Sequence, residues 1–307
     1  MTSADHASCG RFAPTPSGPL HFGSIVAAFA SFLEARRRGG RWLLRIEDVD
    51  APRCRREHAN DIITTLAGHG FEWHGEVLMQ HSRTQRYRDV FEQLRAAGVV
   101  YPCACTRRSL AAAAAGVDGA PVYPGYCRNG LAPGAQARAW RLRLDGGVDF
   151  DDAVQGRQHQ DLPTAVGDCV LLRADGLFAY HLAVTVDDAD QGVDHIVRGA
   201  DLIHSTARQI YLQRLLGVTT PQYAHLPVAV DAGGAKLSKQ TLAAPVDARR
   251  PTPTLWRAAH FLGQNPPVDL KHAPVAEFWR WALAHWSLQH VPAVAAQPAP
   301  DLSREAP

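Results

Sequence analysis

Residues 9 to 48 constrain the fold more than any other stretch, because they spell a strand, a stiff loop, a helix and a second strand with almost no length to spare. Cys9 to Ala13 can extend as a strand. Ser24 to Arg38 carries apolar residues at Ile25, Ala28, Phe29, Phe32 and Leu33, the spacing of one helical face, before Gly39 and Gly40 end it. The strand Arg41 to Asp48 follows at once. A helix crossing between two strands makes them pair in parallel. The loop in between is stiffened by Pro14, Pro16 and Pro19 and opened by Gly18 and Gly23. A strand that turns through glycines into a helix aims free backbone N–H groups at one point, where a phosphate can sit. His21 stands beside that point and can donate to a phosphate oxygen. The predicted fold class is therefore α/β, with a Rossmann-like parallel-sheet nucleotide-binding core.

A second anion-binding stretch lies far away. Gly233 and Gly234 lead into Lys236-Leu237-Ser238-Lys239-Gln240, two lysines flanking a serine on a loop that can close over anionic oxygens. Arg45-Ile46-Glu47-Asp48-Val49-Asp50 ends the second strand with three carboxylates. Ligands of a parallel sheet bind at such C-terminal strand ends, so Glu47 is placed to hold an ammonium. Asp50 reads instead as the acidic start of the helix Glu57 to His69. Ser82 is expected to cap a helix reaching Ala97, with Tyr87, Val90, Phe91 and Leu94 on its buried face. Leu177 to Asp188 is an apolar run that predicts a buried strand, and Val193 to Arg198 predicts another. Asp201 would cap a helix running to Leu216 and stopped by Gly217. Tyr180 and Arg198 are polar groups on these apolar segments. An arginine at a strand end is poor packing but good carboxylate recognition.

Cys103-Ala104-Cys105 and Cys127 are separated by an alanine-rich stretch that predicts a helix. Three thiolates so placed can hold Zn²⁺ if a fourth donor is supplied, generically water or a histidine such as His159. Cys9, Cys54 and Cys169 have no cluster and read as small core or surface residues. Short strands are expected at Ala139 to Leu144, Val148 to Asp151 and Cys169 to Arg173. Two helices, Thr254 to Leu262 and Val275 to Leu288, precede a proline- and alanine-rich tail from Pro292 that should fray. The expected organisation is a first half of the catalytic domain over 1–98 and a small α+β insertion with the zinc site over 99–167. The second half follows over 168–240, and a short helical C-terminal region over 241–307.

The 307 residues are 46% hydrophobic and 20% charged, with a formal net charge of +2. That composition suits a soluble globular enzyme and does not by itself demand a nucleic acid. No apolar run is long enough to span a bilayer, so no membrane partner is expected, and the N-terminus has no secretory signal pattern. Six cysteines in such a length make no disulfide scaffold, and a reducing cytoplasm is the expected location.

His21-Phe22-Gly23-Ser24 and Lys236 to Gln240 together resemble the HIGH and KMSKS motifs of class I aminoacyl-tRNA synthetases. Ser24 replaces the second histidine of the one, and Gln240 the last serine of the other. With Leu44 to Asp50, Tyr180 to Asp188 and Ile196 to Ser205, the chain from about residue 10 to 265 resembles the catalytic core of glutamyl-tRNA synthetases. The length expected after that core leaves no room for an anticodon-binding domain. A compact core with Cys-x-Cys and Tyr-x-x-x-Cys resembles the glutamyl-Q tRNA(Asp) synthetase family.

The resemblance implies a ligase that activates L-glutamate with ATP and Mg²⁺ in the absence of tRNA, then transfers it to the queuosine base in the anticodon of tRNA(Asp). It implies ATP contacts from His21, Gly23, Ser24, Lys236, Ser238 and Lys239, with His21, Lys236 and Lys239 catalytic. Glutamate contacts fall on Arg11, Ala13, Thr15, Glu47, Tyr180 and Arg198; which arginine takes the side-chain carboxylate stays open. Tyr123 becomes the fourth ligand of one structural zinc, beside Cys103, Cys105 and Cys127. A monomer is expected. Arg107, Arg108, Arg128 and Arg157 read first as a solvated face and second as a path for tRNA. The alternatives are a shortened glutamyl-tRNA synthetase charging a tRNA 3′ end, a synthetase-like binding protein without catalysis, and a related nucleotidyltransferase.

Overall fold

The computed structural model describes residues 8–231, 233–237 and 245–300. Strand β1 (Cys9–Phe12) is buried throughout, helix α1 (Phe22–Arg37) follows the loop, and β2 (Arg41–Ile46) pairs with β1 in parallel, from Cys9↔Arg41 to Phe12↔Leu44. Helix α2 (Arg56–Gly68) leads to the short β3 (Leu78–Met79), which joins β2 in parallel, and then to α3 (Thr84–Ala96). Strands β4 (Val100–Cys103) and β5 (Ala139–Leu142) are separated by a long turn-rich excursion. The hairpin β6 (Gly147–Asp152) and β7 (Gly156–Asp161), the short α4 (Leu162–Ala165) and β8 (Cys169–Leu172) come next. Helix α5 (Tyr180–Asp190), β9 (His195–Gly199), α6 (Ile203–Leu216) and β10 (Gln222–Leu226) return the chain to the parallel sheet, and β11 (Val228–Val230) follows in a sheet of its own. Helices α7 (Pro251–Phe261) and α8 (Val275–His285) and strand β12 (Ala296–Pro298) complete the described chain.

β9 and β10 pair in parallel, and β6 and β7 extend that sheet. β1 lies beside β9: the Asp194 amide donates to the Cys9 carbonyl at 3.0 Å. Gly10 has to be glycine there, because a Cβ would stand 2.4 Å from Nε2 of His195. β1 is thus flanked by β2 on one side and β9 on the other. The chain leaves β1 in one direction and returns to its other side, which opens a crevice beyond its C-terminal end. β4, β5 and β8 form a separate antiparallel sheet.

α1 fills the core beneath this crevice, and α7 and α8 cover it. Phe29 packs against Phe278, Trp279 and Trp286 with ring centroids 5.5–6.1 Å apart, and Phe32 meets Trp42, Phe71 and Trp279. Glu34 carries a charge into this packing. Burial pushes its carboxyl up, but hydrogen bonds from Arg37, Arg38 and the Trp286 indole outweigh that and hold it down at about 2.

Several expected elements are corrected. Leu177 to Asp188 is no strand: from Tyr180 it is helix α5, buried along Leu182 to Asp188, so its apolar run is continuous and shows no helical period. Ser82 does not cap α3; it sits in a 3₁₀ turn, Gln80–Arg83, and its hydroxyl donates to the Met79 carbonyl at 2.7 Å. Asp201 lies inside the 3₁₀ turn Ala200–Leu202 and makes no cap. The alanine-rich stretch yields only the 3₁₀ turn Arg108–Leu110, because no apolar face exists there to pack a helix. The stretch after Pro292 contributes β12, paired in parallel with β11; residues 301–307 lie outside the described residues. β3, β7, β10 and β11 were not expected. No helix among the described residues is long and apolar enough to cross a membrane.

Candidate active site

The crevice beyond β1 holds a cavity of about 680 Å³. His21, Gly23 and Ser24 line it at the start of α1, Thr15 from the preceding loop, and Lys236 and Leu237 from the opposite wall. The His21 carbonyl accepts the amides of Ser24 and Ile25, so α1 begins at Phe22, and Gly23 and Ser24 of its first turn line the cavity. A Cβ on Gly23 would come within 3.2 Å of the His21 ring, so glycine lets the imidazole lie along the helix start. Lys236 sits on a reversed stretch that pairs with Val230, and its ammonium meets the Asp201 carboxylate at 2.5 Å. Asp201, expected as a cap, is therefore the counter-ion of this lysine. Ser238 and Lys239 lie outside the described residues. The arrangement sets a helix start, an imidazole and an ammonium around one volume, a setting for a polyphosphate.

Beside it lies a cluster of buried charge. Arg11 on β1, Arg45 and Glu47 at the end of β2, and Asp188 on α5 converge. Arg11 Nε donates to Asp188 Oδ1 at 3.1 Å and Arg45 to the same oxygen at 2.6 Å, while Arg45 stands 3.6 Å from Glu47. The neighbouring Asp187 is wholly buried and accepts from Gln80, Tyr87 and Arg83. The first cause acting on the Tyr180 hydroxyl is burial, which raises its pKa; the charges acting on it are Arg198, Glu47, Arg11 and Asp188. Arg11, Glu47, Tyr180 and Arg198 are thus brought together. Ala13 is half-buried in the adjoining loop, and Thr15 lines the larger cavity instead.

Three polar atoms of this cluster are buried without a hydrogen bond: Nε of Arg45, Oε1 of Glu47 and one terminal nitrogen (NH1) of Arg198. Burial pushes the Glu47 carboxyl up, the Arg45 and Arg11 guanidiniums pull against it, and the balance leaves it at about 7. Asp188 moves the other way: burial raises it, but Arg11 and Arg45 hold it below the usual carboxylate range. The guanidinium of Arg11 is already paired with Asp188, whereas Arg198 has no carboxylate partner among the described residues. Three guanidiniums face two carboxylates here, an excess that suits a ligand with one more carboxylate than ammonium.

In the insertion, the sulfurs of Cys103, Cys105 and Cys127 lie within 4.8 Å of one another. The Tyr123 hydroxyl is 3.5 Å from Cys103 and 3.7 Å from Cys105, and it accepts the Cys127 amide at 2.8 Å. His159 is elsewhere, paired with Asp149 on the exposed β6–β7 hairpin. Three soft sulfurs and a phenol oxygen around one point are compatible with zinc. Arg128 is tied to Asp145 and Asp168, which makes it a strut of the insertion; Arg107 and Arg108 are exposed. Sequence reasoning missed Arg45, Asp187 and Asp188. Arg45 gave a signal, as a charge inside the apolar strand Arg-Trp-Leu-Leu-Arg-Ile.

A family model described as class I tRNA synthetases (E and Q), catalytic domain, matches residues 9–250. A protein of Aromatoleum aromaticum named glutamyl-Q tRNA(Asp) synthetase is 61% identical over 283 residues, covering 92% of this chain and 90% of that protein. One of Thiobacillus denitrificans with the same name is 51% identical over 298 residues, 96% of this chain and 99% of its own. Among solved structures, a glutamate-tRNA synthetase from Elizabethkingia anophelis superposes with a TM-score of 0.78 at 22% identity, covering 95% of this chain and 68% of that one. This last likeness is one of fold.

Asp188→Asn would leave Arg11 and Arg45 buried without their shared counter-charge. The expected loss is about 3–5 kcal/mol of unfolding free energy, read by urea denaturation. A loss under about 1 kcal/mol, the scale of a solvated pair, would mean that water already screens the cluster.

Proposed function

The chain belongs to the glutamyl-Q tRNA(Asp) synthetases, ligases of the class I tRNA synthetase family, and from that premise we propose that it activates L-glutamate as glutamyl-adenylate without tRNA and passes the glutamyl group to the queuosine base in the anticodon of tRNA(Asp). The observation that carries the amino-acid assignment is that Glu47 Oε1 and Arg198 NH1, beside the cavity at the start of α1, are buried without a hydrogen bond. An amino acid with a second carboxylate supplies what both lack: its ammonium to Glu47 and a carboxylate to Arg198. Arg11 and Tyr180 then complete the wall, and Ala13 and Thr15 border it. A neutral side-chain amide would leave a buried cation unpaired, which disfavours glutamine by about 1–3 kcal/mol.

A carboxylate oxygen of glutamate attacks the α-phosphorus of ATP in line, the bond to the β-phosphate oxygen breaks, and pyrophosphate leaves. Such a step needs positioning and neutralisation of charge more than proton transfer. The amides at the start of α1, with Gly23 and Ser24, and the His21 ring hold the phosphates. Lys236 and Lys239, with Ser238 between them and Mg²⁺ arriving with ATP, meet the charge that develops on the departing pyrophosphate. For this, Lys236 has to leave Asp201. A hydroxyl of the queuosine ring then attacks the acyl carbon, and AMP departs. Cys103, Cys105 and Cys127 with Tyr123 would hold one zinc, a closed set of protein donors whose contribution is to brace β4 and the following loops.

The deciding experiment supplies ATP, labelled glutamate and tRNA with and without queuosine. Label confined to the anticodon fragment of queuosine-containing tRNA(Asp) is expected. Label at a 3′ end would make the chain a shortened glutamyl-tRNA synthetase, and no label with no pyrophosphate exchange would make it a binding protein.

The raised Glu47 carboxyl sets a pH dependence. In the empty site it takes a proton below about 7, and an ammonium ligand favours the ionised form, so binding expels that proton. Glutamate affinity should therefore be level above pH 7 and fall by about tenfold per unit below it. In Glu47→Gln the affinity is lower and the slope is gone; calorimetry in two buffers checks both.

Metal analysis should find about one zinc per chain, lost in Cys103→Ser together with protease resistance of residues 99–167. A metal-free native protein would remove the site.

A further inference from the structure

Arg198 is held from behind by a chain of buried groups that begins on a different part of the sheet. Its Nε donates to Nε2 of His225 at 3.1 Å, and its NH2 donates to the Thr206 hydroxyl at 2.8 Å. The far side of the His225 ring meets Asp152: Nδ1 is 2.6 Å from Oδ2, and neither side chain is exposed. The other oxygen of Asp152 accepts three backbone amides, those of Val154, Gln155 and His225 itself. The face of the guanidinium lies 5.5 Å from the Tyr223 ring, which stacks on His225 with 7° between planes. Two edges and one face of Arg198 are therefore occupied, and NH1 is the end left over.

The direction of the protons follows. Asp152 accepts amides on one oxygen and is held below the usual carboxylate range: burial raises it, and His225 and the amides outweigh that. It stays ionised and can only accept. His225 must then carry its proton on Nδ1, which leaves Nε2 with a lone pair aimed at the N–H of Arg198. A protonated imidazole would face the guanidinium cation-to-cation.

We propose that Asp152 and His225 are positioning residues for the substrate carboxylate: Asp152 fixes the imidazole tautomer of His225, and His225 fixes Arg198 with NH1 turned to the ligand. This deepens the glutamate-activation reading and rests on it. Asp152 belongs to β6 and His225 to β10, and these strands share a single register pair, Tyr223↔Asp152. The contact that docks the insertion's hairpin on the parallel sheet is thus the one that aims the arginine.

Asp152→Asn tests this with nearly the same shape. The amide oxygen can keep the backbone amides, but its NH₂ then faces Nδ1 and drives the imidazole proton to Nε2, against the N–H of Arg198. In ATP–pyrophosphate exchange, KM for glutamate should rise by about tenfold or more while KM for ATP stays within about twofold. Nitrogen NMR of the imidazole should show the proton moving from Nδ1 to Nε2, a change that a merely structural role would not produce. His225→Gln, whose amide oxygen faces Arg198 without a tautomer to lose, should keep most of the wild-type glutamate KM. Added to Asp152→Asn, it should restore much of what that variant loses. His225→Leu should not. An unchanged glutamate KM in Asp152→Asn, or equal losses for glutamate and ATP, would overturn the positioning role while the wild type still exchanges with glutamate. A wild type that supports no glutamate-dependent exchange would instead overturn the activation reading, and the positioning role with it.

Discussion

Asp188 sits where β1, β2 and α5 meet, and the arrangement of the site depends on its two ion pairs. A carboxylate with 4% of its side chain exposed is costly unless its charge is met, and Arg11 and Arg45 meet it from two adjacent strands. Satisfying Asp188 therefore fixes how α5 lies against β1 and β2, which in turn sets Tyr180, at the helix start, among Arg11, Glu47 and Arg198. The same arithmetic leaves Glu47 short of a full partner. Arg45 is shared, its closer contact goes to Asp188, and Glu47 is left on the edge of ionisation. One fully paired carboxylate and one half-paired carboxylate thus share the same nitrogen of Arg45, at 2.6 Å and 3.6 Å, so the pair that holds the fold leaves the other open to a ligand.

The β1–α1–β2 unit was legible because three independent signals agreed: apolar spacing, paired glycines after the helix, and a loop of prolines and glycines too short to do anything but turn. The cavity residues His21, Gly23, Ser24 and Lys236 were legible from the pairing of two distant glycine-bearing stretches and their joint resemblance to a known motif pair, since either stretch alone reads as readily as a connector or a solvated face. The cysteine cluster was legible because sulfur ligands are scarce and their spacing is short. What stayed hidden was what depends on distant partners. α5 is buried along most of its length, so its apolar run carries no period and reads equally as a strand. The strand Gln222–Leu226 offers His225 as one polar residue in a short segment, and only the fold brings it to Asp152, 73 positions earlier. Asp187 and Asp188 stand at the end of an apolar run, where a doublet of carboxylates looks like the exit to solvent.

Glu34 shows the same logic at the opposite end of α1. Its carboxylate takes the indole N–H of Trp286 as well as Arg37 and Arg38, so a polar contact pins the aromatic packing of the C-terminal helices onto the core. Both ends of α1 are thereby tied, one to the cavity lined by His21, Gly23 and Ser24 and the other to Trp286, just beyond α8.

The pairing of β12 with β11 bears on how the molecule can be handled as a piece of engineering. Val230 accepts the Ala299 amide at 2.8 Å, and Ala229 next to it accepts the Leu237 amide at 2.9 Å, so residues near the end of the described chain and the residues that present Lys236 are laced to the two edges of one three-residue strand. A fusion partner or affinity tag joined just beyond residue 300 would act through β12 on the same strand to which Leu237, next to Lys236, is bonded. Strand β12 is thus a handle on the Lys236 side of the cavity, and a label attached to it, paired with one near Ser24, would report the spacing between the two stretches that line it.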